Sequence, residues 1–279
     1  MTATTVVLPR AIVHRTQGST HGPITRLMSP SDLGEHLKPF IFLDIFSMNS
    51  KRGKSSFGMH PHSGIATVTF MTQGEVAYED TTGATGVLLA GGLEWMRAGN
   101  GVWHGATLTS ASLMQGFQLW VALPPELENA PALSTYLAPS QVPQSGPARV
   151  LLGRYGDAHS LIEAPSDMNY LAVNLKDGER WRYSPPPGHN VAWLAVSTGR
   201  LDAGGQINAG ELAIFEETEQ HIDFLAQGDC SFVMGSVVKH PHDLVTGYYS
   251  VHTSEKALAQ GESEIQRIGA RLWQQGRLK

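Results

Sequence analysis

The sequence is poor in cysteine, in charge and in long apolar runs, and each shortage excludes a class of protein. A lone cysteine, Cys230, can form neither an internal disulfide nor a thiolate cluster. Any metal must therefore use histidine, carboxylate, amide or water ligands. Charged residues make up 16% of the chain and its 20 Lys and Arg are scattered, so no basic patch predicts contact with nucleic acid. No stretch approaches the roughly 20 apolar residues that cross a bilayer, and residues 1–10 lack the apolar core of a signal peptide, so we expect a cytoplasmic protein without membrane contact.

What the sequence has is turn formers between short apolar runs. The 279 residues include 30 Gly and 16 Pro, and 41% are hydrophobic, which favours a compact all-β protein. The strands are predicted at residues 66–70, 75–80, 86–90, 116–123, 149–152, 170–175, 190–196, 211–215 and 231–238.

Two strand-rich halves follow from this pattern. Residues 126–146 are rich in Pro, Ser and Ala and are the best candidate connection, so we place the domains at residues 1–130 and 131–279. The tail, residues 253–272, has apolar residues at helical spacing after a capping Thr or Ser, which predicts a short C-terminal helix.

The chemistry is concentrated in His60-Pro61-His62. Residues two apart in a strand project from the same face, so both imidazoles can enter one cavity. Two imidazoles suit Fe, Ni, Cu or Zn better than Mg or Ca. A third histidine, His104, follows the next hairpin behind a Gly-rich turn and can return to the same place. Three histidines leave coordination positions for water or substrate, which is typical of reactive sites.

At this point the chain resembles a known family, the pirins, which are two-domain cupins. The resemblance runs from Pro39 to Pro125 and weakens afterwards. Its motifs, in order, are Pro39-Phe40-Ile41-Phe42-Leu43-Asp44, His60-Pro61-His62-Ser63-Gly64, Gly74-Glu75-Val76, Glu79-Asp80, Thr82-Gly83, Trp95-Met96-Arg97-Ala98-Gly99, Val102-Trp103-His104 and Gln118-Leu119-Trp120-Val121-Ala122-Leu123-Pro124. It implies an all-β protein with two cupin (jelly-roll) barrels in tandem, and a metal site in the first barrel whose ligands match His60, His62 and His104. The C-terminal barrel is expected to carry no metal. The implied metal is iron, with nickel, copper, zinc or manganese as alternatives.

The sequence departs from the pirin pattern at two carboxylates. The family's fourth ligand, a glutamate two residues after the last histidine, is Ala106 here, and a second family glutamate falls on Ala66. Three neutral imidazoles leave the full +2 charge of a divalent metal and an extra open position. We therefore expect weaker metal binding than with a glutamate ligand, a preference for a bidentate anionic ligand, and tighter metal retention on Ala106→Glu.

Other candidates have simpler interpretations. Four nearby carboxylates are expected to be exposed hairpin charges, namely those of Glu75, Glu79, Asp80 and Glu94. Gln115 and Gln118 are either polar groups near the site or ordinary strand residues. Trp95, Trp103 and Trp120 are either core or an aromatic wall, and Arg97 is expected to pair with Asp80 or Glu94. A second H-P-H, His240-Pro241-His242, lacks a third histidine and is not expected to bind metal. Each of the remaining histidines is expected at the surface or in the core. This set comprises His14, His21, His36, His159, His189, His221 and His252.

Two functions from different classes remain open. The first is a metal-dependent dioxygenase like quercetin 2,3-dioxygenase, acting on a flavonol, a catechol or another enolic aromatic; the resemblance implies this for some pirins. The second is a non-catalytic redox- or metal-responsive binding protein, with a protein partner such as a transcription regulator. A site that holds no metal is the third alternative.

Overall fold

A computed structural model describes residues 8–49, 56–109 and 113–278, which form two cupin β-barrels with two α-helices. The earlier strands are β1 (Ile12–Thr16), β2 (Ser19–His21), β3 (Ile24–Met28), β4 (Phe40–Asn49), β5 (Ser56–His62), β6 (Ile65–Gln73), β7 (Glu75–Asp80), β8 (Thr85–Leu89), β9 (Leu93–Arg97), β10 (Val102–Leu108), β11 (Leu113–Ala122) and β12 (Leu133–Leu137). The later strands are β13 (Gln144–Ser145), β14 (Ala148–Leu152), β15 (Arg154–Tyr155), β16 (Ala158–His159), β17 (Met168–Leu175), β18 (Arg180–Tyr183), β19 (Val191–Thr198), β20 (Arg200–Asp202), β21 (Gln206–Asn208), β22 (Leu212–Phe215), β23 (Ile222–Ala226), β24 (Cys230–Val237), β25 (Val245–Thr246) and β26 (Val251–His252). The helices are α1 (Leu33–Leu37) and α2 (Glu255–Gln274), and a 3-10 turn occupies Pro139–Gln141.

The N-terminal cupin unit comprises Ser19–Val142 and His240–Lys279. Its larger sheet has the order β12-β9-β6-β11-β4-β3-β2, and its smaller sheet has the order β5-β10-β7-β8. One core cluster takes Phe46, Met71 and Met114 from the larger sheet and Val76 and Leu88 from the smaller one. The core therefore lies between the two sheets, because each buries its apolar face against the other.

The C-terminal cupin unit comprises Met1–Gly18 and Pro143–Lys239. Its sheets have the orders β1-β22-β19-β24-β17-β14-β13 and β18-β23-β20-β21. Its core is aromatic: the Trp181 ring lies 5.3 Å from that of Phe224 and 6.2 Å from that of Phe232, measured between centroids. The two sheets thus enclose a packed interior of their own.

Neither unit is continuous in sequence, which differs from the single boundary predicted between residues 130 and 131. Strand β1 pairs with β22, and this pairing places the start of the chain in the C-terminal unit. Helix α2 contacts β10 and β5, and this packing places the end of the chain in the N-terminal unit. The predicted connection, residues 126–146, also contains β12, which pairs with β9 and extends the larger sheet. Local composition did not indicate these long-range pairings.

The predicted C-terminal helix is confirmed as α2, which has 20 residues and Ser254 as its N-cap. Ile265, Ile268 and Leu272 are buried, as their spacing predicts. The Trp103 indole N–H donates to the Ile265 carbonyl at 2.8 Å, so the helix is anchored to strand β10. Among the described residues, none of the helices has the length and hydropathy that a membrane crossing requires.

Candidate metal centre

Two neighbouring antiparallel strands bring the three histidines together. Strand β5 carries His60 and His62, which share a face because they are two residues apart. Strand β10 carries His104, directly opposite His60 in the register of the pair. The ring centroids lie 5.0 Å apart for His60 and His62, 4.4 Å for His60 and His104, and 5.1 Å for His62 and His104. One ring nitrogen from each residue lies within 4.8 Å of the other two, so the rings converge as the sequence predicts.

Backbone carbonyls orient the two rings on β5. The Nδ1 atom of His60 lies 2.8 Å from the carbonyl oxygen of Gly58, and Nδ1 of His62 lies 3.1 Å from that of Tyr249. A carbonyl oxygen can only accept, so in both neutral rings Nδ1 carries the proton and Nε2 keeps a lone pair. The Nε2 atom of His62 is buried and has no hydrogen-bond partner.

The third ring is oriented by a carboxylate. The Nδ1 atom of His104 lies 3.6 Å from Oε1 of Glu94, and its Nε2 atom lies 3.0 Å from Nε2 of His60. The Nε2 atoms of these two rings therefore face each other across the strand pair.

This donor set fits a divalent transition metal. Two imidazole nitrogens on one metal, each at about 2.0–2.1 Å, lie about 2.9–3.4 Å apart for bond angles near 90–110°. The 3.0 Å between the Nε2 atoms of His60 and His104 falls in this range. Burial, with His104 close by, lowers the pKa of His60 to about 4, and burial also holds the pKa of His62 well below its ordinary value. Both rings are therefore neutral at pH 7, which is the form that binds metal.

A cavity of about 880 Å³ opens on His60 and His62. On its wall the rings of Phe42 and Trp120 are stacked, with centroids 4.1 Å apart and planes 8° apart. The His62 ring packs against Trp120 at a steep angle, with centroids 4.9 Å apart and planes 72° apart. Trp95 and Trp120 are both buried in the core, and of the two only Trp120 also lines this cavity.

The same cavity has an ion pair on its wall, between the buried Asp44 and the half-exposed Arg26. Arg26 donates to both carboxylate oxygens of Asp44, at 2.8 and 3.0 Å, and its guanidinium lies 4.1 Å from the Phe42 ring centroid. Burial raises the pKa of Asp44 above its ordinary value, although the Arg26 hydrogen bonds oppose the shift. Gln118, a predicted polar neighbour, also lines this cavity, whereas Gln115 donates to Ser47 at 3.1 Å.

The interpretation of Asp80 and Glu94 as exposed hairpin charges is wrong. Both are buried, at 3% and 6% exposure. The Tyr136 hydroxyl lies 3.2 Å from Oδ2 of Asp80 and 3.2 Å from Oε1 of Glu94, and the Thr69 hydroxyl donates to Oε2 of Glu94. Burial by itself would raise the pKa of Glu94, but the nearby His104 ring and the hydroxyl groups of Thr69 and Tyr136 together outweigh burial and lower it. Glu94 is therefore an ionised carboxylate behind the histidines.

Sequence patterns failed at Glu94 because β9 is covered on both faces, so exposure does not alternate along it. The residue belongs to a polar row that crosses the larger sheet. Its members are paired in register from one strand to the next: Arg26, Asp44, Gln118, Thr69, Glu94 and Tyr136. Cross-strand register, which local sequence does not reveal, was the missing signal.

A segment of the chain far from the motif also contributes to the site. Tyr249 has a positive φ of 56°, lines the cavity and accepts from His62 through its carbonyl. Next to it, Ser250 accepts from the Ser63 hydroxyl at 2.8 Å. Ser63 also bonds to Nε2 of His252 at 3.0 Å. His252 was expected either at the surface or in the core. It is a core residue, and it joins this segment to the histidine motif.

The remaining candidates lie apart from the cluster. Arg97 donates to the Pro131 carbonyl at 3.3 Å, so its predicted pairing with Asp80 or Glu94 is wrong. In the second H-P-H, the rings of His240 and His242 are 5.3 Å apart, and no third ligating side chain joins them within the described parts of the chain.

Comparisons with known proteins relate this chain to the pirins. The family model described as Pirin matches residues 23–121, which include all three histidines. A pirin-like protein of Caulobacter vibrioides is 37% identical over 187 residues, covering 64% of this chain and 67% of the relative. A Vibrio cholerae protein named "Putative quercetin 2,3-dioxygenase" is 30% identical over 221 residues, covering 74% of this chain and 78% of the relative.

Solved structures share the fold. A quercetin 2,3-dioxygenase from Acinetobacter baumannii superposes with a TM-score of 0.86 at 24% identity, covering 93% of this chain and 98% of that one. A bacterial pirin from Escherichia coli in complex with nickel(II) superposes with a TM-score of 0.66 at 18% identity, covering 84% and 99%. With the histidine cluster, the two cupin barrels and these relatives in view, the chain belongs to the pirin family.

Proposed function

We propose that this protein is a metal-dependent dioxygenase that acts on a flavonol, a catechol or another enolic aromatic. His60, His62 and His104 would hold the metal through their Nε2 atoms, and iron is the first candidate. The observation that carries the proposal is the convergence of three imidazoles beside a cavity lined by a stacked aromatic pair. The Vibrio cholerae relative, which bears the name of such an enzyme, supports the reaction class.

The metal would supply a positive charge that stabilises an ionised, chelating pair of substrate oxygens. Because the three ligands are neutral, that charge is not reduced by the protein at the first coordination shell. A bidentate anion, such as an enolate or a catecholate, would therefore bind more favourably than a neutral ligand.

The residues of the cavity account for the remaining steps. Phe42 and Trp120 line the cavity and give its wall an apolar part for a flat ring, and the volume of about 880 Å³ accommodates a three-ring molecule. Asp44, whose pKa is raised by burial, is a carboxylate on the same wall that can accept the proton of a substrate hydroxyl. Before that proton transfer, Arg26 stabilises the ionised form of Asp44.

Elemental analysis of freshly purified protein is the first test. We expect about one transition-metal ion per chain, and loss of it in His62→Gln. His242→Gln is the matched control, because His242 occupies the corresponding position of the second H-P-H and its side chain is exposed. Protein without metal would overturn the proposal.

Oxygen uptake tests the reaction. Metal-loaded protein should consume oxygen with quercetin or with a member of a panel of catechols and β-diketones, and His62→Gln should not. Bound metal without oxygen uptake on any member of the panel would overturn the enzymatic part and favour the non-catalytic binding protein.

A further inference from the structure

The cluster of three histidines has no carboxylate on its own strands. Ala106 follows His104 by two residues on β10, and it lines an internal cavity of about 50 Å³ together with His60, His104 and Glu94. A carboxylate therefore does reach the back of the cluster, but it comes from β9 in the facing sheet.

The hydrogen bonds of Glu94 leave its negative charge only partly compensated. Thr69 donates to one oxygen, whereas the single hydroxyl proton of Tyr136 is shared between Glu94 and Asp80, each 3.2 Å away. Oε1 of Glu94 also lies 3.6 Å from Nδ1 of His104. A buried carboxylate is costly without a nearby positive charge. The negative charge of Glu94 therefore faces Nδ1 of His104, which is the ring nitrogen that points away from the proposed metal.

We propose that Glu94 takes the place of the missing glutamate ligand, acting through His104. This inference rests on the proposed metal site. A carboxylate 3.6 Å from Nδ1 favours the proton on that nitrogen, leaves the lone pair on Nε2, and makes the ring a stronger donor to a metal. Glu94 is therefore a positioning residue, and it places one negative charge beside the site without using a coordination position.

The role of Glu94 can be tested by removing its carboxylate and by adding a carboxylate at position 106. Because Ala106 and Glu94 line the same cavity, a carboxylate placed at position 106 would lie close to that of Glu94. Two like charges in one buried site repel, so one of them becomes protonated or moves away. The effects of the two carboxylates on metal affinity should therefore be interdependent. Each carboxylate should increase the affinity most when the other is absent.

A double-mutant cycle on nickel(II) affinity tests the inference. The four proteins are wild type, Glu94→Gln, Ala106→Glu and the double variant, each measured by competition with a chromophoric chelator. Glu94→Gln should weaken nickel binding about 10–100-fold, the range expected for loss of a group that orients a ligand. Ala106→Glu should tighten binding at least tenfold more in the Glu94→Gln background than in the wild-type background.

Glu75→Gln is the matched control. Glu75 also accepts a threonine hydroxyl, that of Thr109, but it is not among the residues around the histidines. Its nickel affinity should stay within twofold of wild type. Glutamine has the shape of glutamate, so we expect the variants to keep their fold. Thermal unfolding of the metal-free variants checks this and separates a loss of metal affinity from a loss of fold.

The outcomes distinguish this inference from the proposed function. Wild-type protein that binds no nickel and contains no transition metal on elemental analysis would overturn both. Wild-type protein that binds nickel, with Glu94→Gln unchanged or with additive effects in the cycle, would overturn the role of Glu94 and leave the metal site standing.

Discussion

Acidifying the metal-free protein from pH 7 to pH 5 should lower its free energy of unfolding by about 2 kcal/mol through His60 alone. The His60 ring is largely buried, and burial with the nearby His104 lowers its pKa from 6.5 to about 4. In the unfolded chain the ring returns to its ordinary pKa. The folded state therefore binds fewer protons than the unfolded state between these two values.

The sign follows from this difference in bound protons. Stability is at its maximum above pH 6.5, where both states are neutral at this position, and falls as the pH drops toward 4. One pKa unit corresponds to about 1.4 kcal/mol, and at pH 5 the unfolded ring is protonated while the folded ring is still largely neutral. This gives about 2 kcal/mol between pH 7 and pH 5.

Urea unfolding at both pH values, in the presence of a chelator, measures the effect. His60→Asn is the control, because its amide can still donate to the Gly58 carbonyl but does not titrate. Burial lowers the pKa of other histidines as well, including His62 and His189, so the variant should keep a pH dependence smaller by about 2 kcal/mol. Equal pH dependence in the two proteins would refute the reasoning.

Three further predictions concern stability and reactivity. Gly64→Ala should destabilise the protein by about 2 kcal/mol or more, because φ is +75° and a Cβ would lie 2.0 Å from the Val251 carbonyl oxygen; Gly22→Ala, with φ +61° and open space, should cost less in the same urea titration. Cys230 is buried and its thiol pKa is raised to about 11, so it should react with a thiol reagent only as fast as the protein opens; rapid labelling in native buffer would contradict this. Ser254→Ala should remove the N-cap of α2 and cost about 1 kcal/mol in thermal unfolding, whereas an unchanged midpoint would mean that the cap contributes nothing.

Features that depend on local periodicity can be predicted from the sequence alone. Alternation along an extended strand puts His60 and His62 on one face whatever lies around them, and the helical spacing of Ile265, Ile268 and Leu272 predicts α2. The family resemblance added the two barrels and the return of His104, both of which the structure has.

The surroundings of those histidines, in contrast, depend on contacts between distant parts of the fold. Glu94 lies behind His104 because β9 and β10 belong to facing sheets, and Tyr249 accepts from His62 although 187 residues separate them. Likewise β1 joins the C-terminal unit by pairing with β22. Such contacts depend on strand register and on packing between distant segments. The residues next to a charge or a carbonyl in the sequence therefore do not indicate whether that group is buried. The local pattern thus fixes which way a side chain points, and the fold decides what that side chain meets.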